Sequence, residues 1–128
     1  MEPNKILDEI LLCQKQKYNL LNRMLDTTRE MERVFKEDEM AFGMLLDMRK
    51  SIMDSVDKIN IQTAELADKL PDKEREAVQE HMVTSSIEVP MGRIGDIYRS
   101  NKQNMELLER IISVNNAINN QISKVMSD

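Results

Sequence analysis

Apolar residues recur at heptad spacing along almost the whole of this chain, and only three glycines and three prolines interrupt its 128 residues. A chain with so few breakers is committed to long helices, because sheets need turn residues at short intervals. Aromatic residues, which strands favour, number two Phe and two Tyr, with no Trp. The expected fold is all-α.

The last third carries the clearest pattern. Ile94, Ile97, Leu108, Ile111, Ile118, Ile122 and Val125 follow a 3-4 repeat, and the remaining seam positions are Asn101, Asn104 and Asn115. The spacing predicts a helix over 93–126, roughly 50 Å long at 1.5 Å per residue. Leu107, Ile112 and Val114 widen the stripe. Such a width suits a helix that meets two partners, or one within the chain and one outside it. Asparagines in a seam cost stability but fix register and partner number.

Upstream, the stripe from 4 to 36 runs through Leu7, Ile10, Gln14, Leu21, Met24, Thr28, Met31 and Phe35, with Asn4 placed to cap the start. It continues in phase through Phe42, Leu45, Arg49, Ile52, Val56, Ile59, Thr63, Leu66 and Leu70. The acidic triplet Glu37–Glu39 between them holds neither glycine nor proline. Two readings follow: one continuous rod near 100 Å, or an αα-hairpin with Asp38 capping a second helix over 39–70. Only the hairpin lets a monomer bury both stripes. Met40, Met44 and Met48 stack at four-residue spacing among 11 methionines. Core filler is the commoner meaning of such a stack, and an adaptable docking strip the alternative.

Pro71 and Asp72 open a short charged helix over 72–82, and 83–92 reads as a flexible linker ahead of a soft helix start at Gly92 and Gly95. His81, alone of its kind, is expected on the surface, and Cys13 as a buried filler. Taken together these form a single helical-bundle domain over 1–128: a long antiparallel hairpin, coiled-coil-like, plus a short helix and a long C-terminal amphipathic helix.

Net charge is −5, with four basic and eight acidic residues in 37–70, which argues against nucleic acid or anionic lipid as main partner. No stretch approaches the ~20 apolar residues of a membrane helix, and Glu2 and Asp8 stand where a signal peptide would be basic or apolar. One cysteine excludes an internal disulfide and fits a reducing compartment. There is no glycine-rich phosphate loop, HExxH, CxxC or GxSxG. No enzyme activity, cofactor or metal is expected.

The segment YRSNKQNMELLERII, from Tyr98 to Ile112, resembles the last helix of the FlgN-type flagellar export chaperones: Asn101 and Asn104 form its N-x-x-N pair, and Leu107 and Leu108 the dipeptide after it. The segment FKEDEMAFGMLLDMRKSIMDSVDKI is similar to that family's acidic turn and second helix. Methionine and isoleucine stand here where family members are richer in leucine. The resemblance implies a cytoplasmic chaperone of type III export. It would hold the C-terminal segment of hook–filament junction proteins, prevent premature assembly and aid delivery to the export apparatus. The implied client contacts are Ile94, Ile97, Asn104, Leu107, Leu108, Ile111, Asn115, Ile118, Ile122 and Val125. The competing expectation is a homo-oligomeric coiled-coil scaffold or adaptor without a client; homodimer formation fits either.

Overall fold

The computed structural model describes residues 2–83 and 92–127, and side chains over 2–80 and 92–127. Four helices account for nearly all of them: α1 (Pro3–Val34), α2 (Glu39–Asp68), α3 (Asp72–Val83) and α4 (Arg93–Ser127). The fold is all-α, as the periodicity predicts. The linker expected over 83–92 lies almost wholly outside the described residues, as does the side chain of His81.

α1 begins one residue before Asn4. Pro3 occupies the first turn, where its fixed φ suits a helix and its missing N–H is no loss, and Glu2 is the capping position without a side-chain bond. Asn4 is therefore not the cap. The chain then breaks after Val34. Asp38 takes an extended conformation, and its Oδ1 accepts the Ala41 N–H at 3.0 Å, so the hairpin and its cap are both present. Phe35 and Phe42 close the turn edge-to-face, with ring centroids 5.5 Å apart. Burying both stripes against each other favours the hairpin over a rod that would leave both wet.

α1 is the helix with two long neighbours. It packs along α2 and along α4, while α3 bridges the far ends of α2 and α4. The wide stripe on α4 suited two partners, or one within the chain and one outside it; within the chain its long contact is with α1 and a shorter one is with α3. The buried positions of α1 show the cause: adjacent pairs such as Ile6/Leu7, Cys13/Gln14, Met24/Leu25 and Thr27/Thr28 turn two sides of one helix inward. α2 returns antiparallel to α1, and α3 carries the chain back so that α4 runs parallel to α1. Arg93 meets Asp8 (2.8 Å) and Asn104 meets Gln14 further along.

Two apolar clusters form the core. The first gathers Ile6, Leu7, Ile10 and Cys13 of α1 with Leu66, Ala67, Leu70, Val78 and Ile97. The second joins Leu21, Met24 and Leu25 to Ile52, Val56, Leu107 and Ile111. Between them lies a polar layer. Asn104 Nδ2 donates to the Gln14 backbone oxygen (3.1 Å) and to Gln14 Oε1 (3.0 Å), both residues being buried.

Candidate docking face between the second and fourth helices

Five of the ten residues expected to touch a client are committed to the chain's own core. Ile97, Asn104, Leu107, Ile111 and Ile118 are all buried. Ile97 belongs to the first cluster, with residues of α1, α2 and α3; Leu107 and Ile111 belong to the second, with Ile52 and Val56 of α2; and Asn104 bonds Gln14 of α1. Ile94 is half-buried against the first cluster and Leu108 against the second. Asn115 and Ile122 are half-buried, and of the ten only Val125 is exposed. A heptad stripe marks which side of a helix is apolar, not whether the covering surface comes from the same chain.

The positions left open form a different surface. α2 and α4 both lean on α1 and meet each other chiefly through side chains, which leaves a groove of about 290 Å³ between them. Met24 of α1 is its floor, Met53 one wall, and Leu108, Ile111 and Ile112 the other. Met53 and Ile112 are about half exposed. Across this groove Arg49 Nη1 donates to Asn115 Oδ1 at 2.8 Å. Both residues occupy seam positions of their own heptads, so a cation and an amide meet where two apolar side chains would ordinarily pack. Burial pulls the Arg49 pKa down, but a guanidinium stays charged throughout the physiological range. Among the described residues no carboxylate pairs with it; the ion pairs are Arg33–Glu30, Arg75–Asp72, Arg93–Asp8 and Arg99–Asp96.

The methionine stack faces outward. Met40, Met44 and Met48 are 79%, 64% and 51% exposed, so the core-filler expectation is corrected. Met48 lies on the flank of α2 away from the groove, beside Arg23 and Ser55, and helical spacing places Met40 and Met44 on that same flank. A third apolar surface lies at the hairpin turn, where Ile122, Val125 and Met126 approach Phe35 and Phe42, with Lys36, Glu37 and Glu39 at its rim.

Elsewhere the side chains offer less. Cys13 is buried beside Thr63, and burial raises its thiol pKa, the opposite of what a nucleophile needs. Among the described residues no group of His, Cys, Asp or Glu could hold a metal ion, and no helix is long and apolar enough to cross a membrane.

Sequence periodicity alone gave no place to Met53 and did not single out Arg49. The signal for Arg49 was there: a charged residue in an otherwise apolar seam. Met53 follows Ile52 and carries no periodic mark. No family model matches the chain, and neither a curated protein nor a solved structure was found to match it.

Proposed function

We propose that this chain is a cytoplasmic export chaperone of the FlgN type, a binding protein without catalysis. It holds the C-terminal segment of hook–filament junction proteins until they are handed to the type III export apparatus. The observation that carries the reading is the open apolar groove between α2 and α4, with further exposed methionines on a small helical bundle. Contiguous exposed apolar surface marks an interaction site, and methionine lets such a surface repack around segments of varied sequence. An amphipathic helix laid in that groove would shield both its own apolar face and the groove's. The client contact then falls to Leu108, Ile112, Asn115 and Met53 rather than to the buried Ile97, Leu107, Ile111 and Ile118.

Calorimetric titration with C-terminal segments of the same organism's hook–filament junction proteins tests this. Saturable one-to-one binding at micromolar affinity or tighter is the expected result. A well-folded protein that binds none of them sinks the reading.

The outward methionine flank favours a second reading, a homo-oligomeric scaffold in which Met40, Met44 and Met48 pack against another copy. Sedimentation over a concentration series and the titration together separate the two, since the scaffold predicts an oligomer that survives dilution and binds no client.

A further inference from the structure

Arg49 is the one charged side chain among the described residues lining the α2–α4 groove, and it is positive in a chain of net charge −5. The remaining lining is Met24, Met53, Leu108, Ile111, Ile112 and Asn115, apolar apart from one amide. The Arg49 side chain is half-buried, held by Asn115 on one side, and meets no carboxylate among the described residues. The neutral acceptor at Asn115 engages one nitrogen and leaves the other donors of the fork to solvent or a ligand. In so apolar a setting a carboxylate would gain more from a guanidinium than it does at an open surface.

We propose that the groove recognises an amphipathic segment of another protein by one carboxylate within its apolar face, which pairs with Arg49 while its apolar neighbours cover Met24, Met53 and Ile112. This inference rests on the binding reading above and names what the bound segment must contain. A charged group in the apolar face of a helix is unfavourable for most partners, so demanding one excludes purely apolar segments as well as basic ones.

The test uses the full-length protein and pairs of 20-residue peptides. One set is the junction-protein C-terminal segments, each in native form and with its acidic residues changed to amides. The other is a designed Leu/Met-faced helix with one central Glu, beside its Gln counterpart. The acidic member of a pair should bind about tenfold tighter, the scale of a charge-assisted hydrogen bond. Arg49→Gln should remove that preference, and Arg49→Glu should transfer it to a peptide bearing Lys in place of Glu. Asn115→Ala breaks the bond between α2 and α4 but keeps the cation. A merely structural Arg49–Asn115 link predicts that Asn115→Ala and Arg49→Gln lower the urea midpoint alike and that neither alters peptide preference. The inference instead requires Arg49→Gln to abolish the preference for the acidic peptide and Asn115→Ala, whatever its overall affinity, to keep it. Circular dichroism and urea unfolding on each variant separate lost folding from lost recognition, and Arg49→Lys, which retains charge, should keep part of the preference if Arg49→Gln unfolds.

Junction segments that bind without distinguishing acid from amide overturn the carboxylate inference and leave the chaperone reading standing. Silent junction segments with an Arg49-dependent designed peptide do the reverse. No binding by any peptide overturns both. A dimer of this chain that Arg49→Gln dissociates would make a second copy the occupant and overturn the inference as well.

Discussion

Asn104 and Gln14 show how one polar pair can set the alignment of two long helices. Both stand in apolar seams, and sliding α4 along α1 by a turn would bury each amide against hydrocarbon. The pair is not fully satisfied, since Asn104 Oδ1 is buried with no hydrogen-bond partner among the described residues. Two opposite effects of mutation follow. Asn104→Ala takes the donor from the buried Gln14 Oε1 and opens space, and should lower stability by about 1–3 kcal/mol. Replacing both residues by Leu removes every orphaned group and should recover most of that loss, at the expense of unique register. Urea unfolding of Asn104→Leu, Gln14→Leu and the double variant measures the coupling; simple additivity would contradict it. Lys17 gives a pH test at the same scale. Burial holds its ammonium below the usual pKa, so the folded state resists the charge more than the unfolded one does. That penalty is present at neutral pH and fades as pH rises through the lowered pKa toward the unfolded value of 10.5. Lys17→Met should therefore stabilise the protein at pH 7, by up to about 1 kcal/mol, with a gain that shrinks in alkaline urea titrations.

The elements were largely legible because heptad spacing and breaker content are local properties. The helix bounds near 36, 39, 70, 72 and 93 come from such signals, and Asp38 was readable as a cap from its place ahead of an apolar run. Asp38→Ala should cost about 1 kcal/mol with an unchanged denaturant slope, because one capping bond is lost and the hairpin itself persists. The partner of each stripe was not legible. Ile111 and Ile112 are adjacent and chemically identical, yet one is buried beneath Met24 and Val56 while the other borders the groove with 56% of its surface exposed. Periodicity separates their directions by 100° and cannot say which direction is covered by the same chain. Ile111→Ala should therefore lower stability by about 2–5 kcal/mol. Ile112→Ala should alter it by less than about 0.5 kcal/mol while weakening client binding. Equal melting of the two variants would contradict this division between core and docking surface.

At the scale of the molecule, the hairpin decides the shape and the methionine flank the state of association. The longest helix has 35 residues, so a bundle folded on α1 spans roughly 55–60 Å with side chains, against near 100 Å for a rod continuous from α1 through α2. Small-angle scattering at low micromolar concentration should give the shorter dimension and a monomer's mass. Met40, Met44 and Met48 lie outside that fold, so changing all three to Gln removes apolar surface without opening a cavity. The triple variant should unfold within about 1 kcal/mol of the parent, since exposed substitutions rarely move stability further. If the parent is dimeric through this flank, the same change would also halve its mass and make its melting temperature independent of concentration. A monomeric parent whose client affinity falls in the triple variant would instead make the flank a continuation of the docking surface around α2. The segment it holds would then have to be long enough to reach both sides of that helix.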